Sequence, residues 1–493
     1  MSRSVLSDDG APLGQRAARG ALVTIGAQGA RMVIQFASVV VLSRLLSPHD
    51  YGLVAMVLAI IGVGEILRDF GLSSAAVQAQ SLSSAQRSTL FWLNTAIGLA
   101  LALVIVAAAP LIAAFYGSPQ LVDVARALAP TFLLNGMATQ YRASLVRDLR
   151  FASLARVDIT AAATSLAIAT TAALAGLGYW ALVAQQLGQA LVLFALLAFA
   201  ARWLPGLPRR STQVRGLVRF GGNVVASQLI GYVANNIDSV VIGARFGAAP
   251  LGIYSRAFQL LMTPLNQVRS PLTSVALPVL SRLSADAVRF SSFVELGQLA
   301  LGYTLVAGLG VVIGTAEPLT VLLLGDQWLE AAPILRLLAI AATFQTLAFV
   351  GYWVYLARDL TRDLVRFSLV SAVIRIACIL VGSQWGVIGV AWGYAIAPCL
   401  TWPISLWWLS RRTTIPVARL YAGAGRILVG VTGGAAAAWA VASIFDLPIA
   451  RVGLGALALV AWYALLALVP AIRRDLLRVW AVIKLMPRRA RGT

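Results

Sequence analysis

Five arginines sit inside long apolar stretches of the sequence: Arg31, Arg256, Arg269, Arg336 and Arg375. A guanidinium stays charged, and its planar fork of N–H donors matches the oxygens of a phosphate two at a time. In hydrocarbon such a group costs at least ~2.5–3.5 kcal/mol unless water, an anion or a carboxylate compensates it. The chemistry open to this set is therefore anion binding, with phosphate the best match. Acidic groups at comparable depth are scarce: Asp238, and Glu65 near the end of its stretch. The surplus of positive charge predicts a cavity of positive potential. For Asp238 and Glu65 two roles stay open, a structural counter-ion for one arginine or a site where a proton or ion couples.

The arginines belong to polar stripes. Around Arg31 stand Thr24, Gln28, Gln35 and Ser38, at steps of four, three, four and three, which places all five on one helix face. Arg31 lies about twelve residues from either end of its stretch, or roughly 18 Å at 1.5 Å per residue, too far for its side chain to reach the surface. A second stripe holds Gln228, Tyr232, Asn235 and Ser239, with Asn236 and Asp238 alongside. A third runs Arg256, Gln259, Thr263, Asn266, Ser270 and Thr273, with Arg269 beside it, and a fourth Ser368, Ser371 and Arg375. Pro264, Pro271 and Pro278 recur every seven residues in or just beyond the third stripe. Each removes a backbone hydrogen bond, so this helix is a candidate moving part.

The elements that must carry these stripes are membrane helices. Of 493 residues, 60% are hydrophobic and 12% charged, with a mean hydropathy of +0.85. A span needs about 20 mainly apolar residues. Fourteen spans are read at 20–42, 53–68, 88–115, 122–141, 154–175, 179–201, 217–243, 251–276, 292–315, 332–355, 366–383, 386–408, 424–444 and 451–471. Thirty of the 39 Lys and Arg residues fall in every second gap, while 117–123, 176–179, 383–386 and 445–450 hold none. Positive residues stay on the cytoplasmic side, so both termini are predicted to be cytoplasmic. The first span lacks a cleavable signal pattern and is expected to remain as an anchor. Tyr51, Tyr116, Tyr179, Trp180, Trp328 and Trp385, at span ends, read as interfacial anchors.

Other chemistries fall away. The net charge of +21 is spread over alternate loops rather than one basic face, which argues against nucleic acid. One histidine (His49) and two cysteines (Cys378, Cys399) support no metal site, no Cys–His nucleophile and no disulfide framework. No gap is long enough for an external catalytic module, so neither an enzyme nor a cofactor is expected. A membrane enzyme stays the reading from another class.

The sequence also repeats. At a spacing of 200, Gln28 meets Gln228, Gln35 meets Asn235, Ser38 meets Asp238 and Gly52 meets Gly252. At 211, Arg147-Asp148-Leu149 meets Arg358-Asp359-Leu360. Parallel repeats of this kind are related by an axis along the membrane normal. The predicted organisation is a cytoplasmic segment (1–19), an N-terminal lobe of six spans (20–201), a linker (202–216), a C-terminal lobe of six spans (217–408), two accessory spans (409–471) and a basic tail (472–493). The fold class is all-α integral membrane.

At this point the residues resemble a family. The stretch at 42–52 (LSRLLSPHDYG), then 69–76 (DFGLSSAA), 88–94 (STLFWLN), the loop 141–151 and 235–256 (NNIDSVVIGARFGAAPLGIYSR) are similar to polysaccharide exporters. The closer likeness is to the colanic-acid and teichuronic-acid exporter branch of the MATE-like flippase superfamily, over roughly residues 15–410. The resemblance implies two lobes around a central cavity in a bacterial cytoplasmic membrane. It implies a flippase for an undecaprenyl-diphosphate-linked oligosaccharide, with membrane lipids and the pathway's polymerase and glycosyltransferases as partners. It further implies that cavity cations hold the diphosphate, a role carried here to Arg31, Arg256, Arg269 and Arg375. Gln28, Gln35, Gln228 and Asn235 complete the candidate substrate site. The alternative within the superfamily is a MATE-type exporter of cationic drugs, which needs an acidic cavity. The chain has a single lysine, so each proposed contact is a guanidinium.

Overall fold

The computed structural model describes residues 13–69, 83–207 and 214–489. Residues 70–76 of the DFGLSSAA block, Arg209, Arg210, Arg491 and the first twelve residues lie outside that description. Among the described residues every regular element is helical.

In chain order these are α1 (Leu13–Leu45), α2 (Pro48–Asp69), α3 (Ser84–Tyr116), α4 (Leu121–Leu128), α5 (Pro130–Arg147), α6 (Phe151–Leu174), α7 (Trp180–Ala201) and α8 (Val214–Phe246). There follow α9 (Ala248–Arg282), α10 (Ala287–Leu301), α11 (Ala307–Gly314), α12 (Ala316–Leu324), α13 (Ala331–Ala357) and α14 (Thr361–Gly382). The last four are α15 (Gly386–Arg412), α16 (Val417–Ala442), α17 (Pro448–Leu466) and α18 (Pro470–Arg489). A wider turn of π-helix, Gly302–Val306, joins α10 to α11.

A helix, or two end to end, occupies each stretch read as a span. By length and composition, nine segments among the described residues can cross a membrane, one of them joining α14 and α15. The stretches outside that set are α1, α4 with α5, α8 and α9. Of these, α9 carries a polar stripe that dilutes its apolar content. Outward faces are apolar: Leu103, Phe199, Val373 and Val460 are all well exposed. On a soluble protein such a surface would be an aggregation liability; against lipid it is the required solvent.

Local sequence explains where several helices begin and end. Ser83 caps α3 by accepting the Gln86 N–H, and the Gln86 side chain returns to the Ser83 N–H, a reciprocal capping box. Gly117 closes the same helix at φ +66°, a conformation glycine adopts without strain. Asp286 caps α10 through the N–H groups of Val288 and Arg289. Pro264, Pro271 and Pro278 all lie within α9, which continues as one helix through them.

Two turns repeat each other bond for bond. After α5, Asp148, Leu149 and Arg150 donate their N–H groups to the carbonyls of Ser144, Val146 and Leu145. After α13, Arg358, Asp359 and Leu360 donate to Val354, Leu356 and Tyr355. Leu149 and Asp359 take the same left-handed conformation, at φ 53° and 55°. The turns therefore correspond at a spacing of 210, one less than the echo of Arg-Asp-Leu suggested. The letters match one residue out of step with the backbone.

The chain divides into two compact units, Met1–Leu46 with Leu53–Val233, and Ser47–Gly52 with Ala234–Thr493. In the first, α6 packs along α7 and α1, and α3 along α5. Phe91, Tyr141, Leu145, Leu154 and Leu197 form its apolar cluster. The second unit includes the accessory helices: α14 packs on α15, α13 on α9 and α15, and α16 on α11 and α17. Gly314 lets α11 press against the Ala435 carbonyl, where a Cβ would lie 2.5 Å away.

The first turn of α2 belongs to this second unit. There Gly52 faces Ala248, and Gly252 faces Pro48. A Cβ on Gly52 would stand 1.7 Å from the Ala248 carbonyl oxygen, and one on Gly252 1.8 Å from that of Pro48. The repeat thus meets itself at two glycines 200 residues apart, each giving way to the other's helix start. Beside them Tyr51 sits edge-on to Trp328, with centroids 5.5 Å apart. Both are buried, at 3% and 0% exposure, and so is Tyr116. These three are core residues, not the lipid-interface anchors their positions suggested. Trp180 and Trp385 are exposed, as anchors require.

Candidate functional site

The second unit gathers several sequence-selected groups around Tyr394 of α15. Arg375 on α14 donates through Nη1 to Asn235 Oδ1 on α8, one turn before Asp238. Its guanidinium carbon lies 5.8 Å from the centre of the Tyr394 ring. Asp238 is 2% exposed. Its Oδ2 accepts the Tyr254 hydroxyl at 2.6 Å and its Oδ1 the Ser239 N–H at 2.9 Å. Arg375 acts on Asp238 electrostatically, beyond ion-pair contact. Gln345 on α13 donates to the Tyr394 hydroxyl at 3.4 Å.

Arg269 on α9 also acts on Tyr394. It is itself buried, at 6% exposure. Its Nη2 donates to the Ala342 carbonyl at 3.0 Å and to Thr346 Oγ1, both on α13. Its Nε is buried without a partner. Arg269 is thus a buried cation held by one carbonyl and one hydroxyl.

Arg256 stands apart from this cluster. Its guanidinium lies 3.9 Å over the Tyr51 ring, in the packed start of α2 and α9. Arg336 donates from Nε to the Ile313 carbonyl at 3.1 Å.

The first unit holds Arg31 and Gln28 exposed on α1, Gln35 half-buried, and Gln228 exposed on α8. Ser38 accepts a hydrogen bond from Gln185 of α7 at 2.9 Å. Glu65 is tied down: it pairs with Arg68 at 2.8 Å and accepts from Asn135 Nδ2 at 3.0 Å. Arg68 in turn donates to the Asn135 carbonyl and to Thr139. Glu65 thus lies within a network of one ion pair and several hydrogen bonds.

The ion pairs leave out every arginine of the apolar stretches. Among the described residues, seven arginines pair with a carboxylate: Arg68, Arg142, Arg289, Arg412, Arg419, Arg426 and Arg451. None of the five within the apolar stretches is among them. Arg31, Arg256, Arg269, Arg336 and Arg375 rest on carbonyls, hydroxyls, an amide or a ring, or stand exposed. Such neutral partners leave the charge uncancelled and able to attract an anion.

Sequence reasoning missed Tyr254, Gln345 and Tyr394, since their hydroxyl and amide groups lie on no stripe with an arginine. It also missed a polar cleft of about 160 Å³ between α10, α16 and α18, lined by Glu295, Gln298, Arg419, Arg426, Asp475 and Arg478. Two of its arginines are paired across it, Arg426 to Asp475 at 2.6 Å and Arg419 to Glu295 at 3.3 Å. No group of three or more metal-binding side chains occurs among the described residues.

Comparison with known proteins follows the same lines. Residues 41–333 match the polysaccharide biosynthesis protein family. The chain is 29% identical over 359 residues to the teichuronic acid biosynthesis protein TuaB of Bacillus subtilis, covering 70% of this chain and 72% of that one. It is also 29% identical over 308 residues to the succinoglycan biosynthesis transport protein ExoT of Rhizobium meliloti, covering 62% of each. Its fold is similar to that of the lipid II flippase MurJ in an inward closed conformation, with a TM-score of 0.70 and 14% identity. That match covers 93% of this chain and 100% of that one.

Proposed function

The chain belongs to the polysaccharide biosynthesis protein family, and on that premise we propose that it flips a lipid-linked oligosaccharide across the cytoplasmic membrane by alternating access. One observation carries the reading: none of the five arginines within the apolar stretches, where a bare charge costs most, pairs with a carboxylate among the described residues. A cation left uncancelled in a membrane protein calls for a mobile anion. A polyprenyl diphosphate supplies one at the boundary between its lipid tail and its sugar.

In this reading Arg375, half-buried in the second unit, is a diphosphate contact, and Arg31, exposed in the first unit, is a candidate in its own right. Asn235 positions Arg375, while Gln28, Gln35 and Gln228 offer amides to sugar or phosphate. Arg269 is buried in the conformation seen here, and a contact from it to substrate requires α9 and α13 to part. Arg256 serves the packing of α2 on α9. Asp238 is the remaining candidate for coupling, since Arg375 can neutralise it when no substrate is bound. Fourteen spans, cytoplasmic termini and a bacterial inner membrane complete the proposal, with the polymerase and glycosyltransferases of the same pathway as partners.

A MATE-type exporter of cations would need free acidic groups. Glu65 is closed by Arg68, and Asp238 lies under the influence of Arg375.

The test is export of the polymer in cells carrying Arg31→Ala or Arg375→Ala. Export should fall at least tenfold while protein abundance stays near wild type. Wild-type export from both variants would remove the phosphate-holding role.

A further inference from the structure

The helix that ends the described chain, α18, has no part in the transport site, yet its two faces differ in a way that demands a partner. It follows α17 after a three-residue turn, so it starts where a membrane-crossing segment ends. Ile472, Asp475 and Val479, at steps of three and four, are 4–6% exposed and face the protein. Val479 joins the apolar cluster of the second unit. Asp475 is pinned by Arg426 of α16 at 2.6 Å and reached by the Tyr303 hydroxyl at 3.5 Å.

The opposite face is apolar and basic at once. Leu477 is 56% and Trp480 55% exposed, with Arg473 and Arg474 exposed beside them, while Arg478 lies at the edge that lines the cleft toward α16. Over its length α18 carries six basic residues and one acid, and that acid is spent on Arg426. The exposed charges among its described side chains are all positive. A helix with Trp and Leu between arginines, lying beside the end of a span, has the make-up of one that rests in the headgroup region of an anionic leaflet.

We propose that α18 is an interfacial helix that seats the second unit on anionic phospholipid of the cytoplasmic leaflet, with Leu477 and Trp480 entering the headgroup–acyl boundary and Arg473 and Arg474 meeting lipid phosphates. The assignment of leaflet rests on the orientation proposed above; the contact itself does not. Charge complementarity selects the occupant. A neutral leaflet would leave the arginines unmatched, and an aqueous setting would leave Leu477 and Trp480 in water.

The test uses the full chain with Cys378→Ser and Cys399→Ser, spin-labelled at Leu477→Cys or Trp480→Cys and reconstituted into nanodiscs. Discs of phosphatidylcholine with phosphatidylglycerol should place both labels below the phosphate plane, more accessible to oxygen than to a water-soluble nickel chelate. Discs of phosphatidylcholine alone, or the double change of Arg473 and Arg474 to Gln, should shift both labels toward water. A label at Ile472→Cys should be shielded from both relaxants throughout, showing that α18 stays docked. Water-exposed labels in the anionic discs would overturn the proposal, as would equal depth in neutral discs or a mobile label at Ile472. Each readout is independent of transport, so failure of the flippase reading would leave these outcomes unchanged.

Discussion

Arg256, Arg269 and Arg375 read alike in the sequence, as guanidiniums within apolar helices, but their surroundings assign them different work. Arg256 packs on Tyr51, a contact worth ~0.5–2 kcal/mol. Arg256→Leu and Tyr51→Leu should each lower the melting temperature in detergent, and the double variant should lose less than the sum, as coupled partners do. Arg269 has no carboxylate, and one of its donors is unused. Replacing a buried charge by an apolar chain of similar length is often neutral or stabilising. Arg269→Met should therefore keep or raise the melting temperature while reducing export; a sharp fall in stability would mark it as a structural pin instead. Depth and spacing found all three arginines, because an isolated charge is conspicuous among apolar letters. Their partners were not legible. Tyr51, Thr346 and Asn235 lie 77 to 205 positions away, and only the folded backbone brings them close.

At the scale of elements, hydrophobic runs and their polar gaps located every helix of the described chain that was read as a span. The periodic signal is strongest where one side meets lipid and the other a neighbour. The signal failed at turns and ends. Tyr51, Tyr116 and Trp328 looked like interfacial aromatics, and burial in the core overrode that reading, since an aromatic at a helix end suits either setting. The α9 prolines imply no interruption of its assigned helix. The close crossing of α2 and α9 gives the sharpest test at this scale. Gly52→Val or Gly252→Val would place carbon within 2 Å of a carbonyl oxygen. Overpacking of this kind costs ~1–3 kcal/mol or more. Each variant should reduce the monodisperse fraction in size-exclusion chromatography, whereas Gly26→Val and Gly29→Val, where a Cβ meets nothing, should not.

For the whole molecule, charge bias predicts an orientation and the duplication predicts an architecture, both from features that recur along the chain. The boundary of the second unit was not readable. The first turn of α2 sorts with residues two hundred positions later, and α16 to α18 pack as part of the same unit. Orientation can be tested by labelling intact cells of a variant lacking Cys378 and Cys399. Leu177→Cys and Gln384→Cys, both exposed, should react with an impermeant maleimide from outside. Arg362→Cys, also exposed, should react only after permeabilisation. Ser383 is the poorer probe, since it is buried and accepts a hydrogen bond from Arg245. Reaction of Arg362→Cys in intact cells would reverse the assigned sides.

The two-way fit of Gly52 and Gly252 bears on ancestry. A contact in which each copy of a motif receives the other is what a half-length chain would make with a second molecule of itself. Fusion of the two genes would have preserved that handshake and removed its dependence on concentration. It would also have bound both halves to one rule at this position, so that either may drift elsewhere while neither can abandon its missing side chain alone.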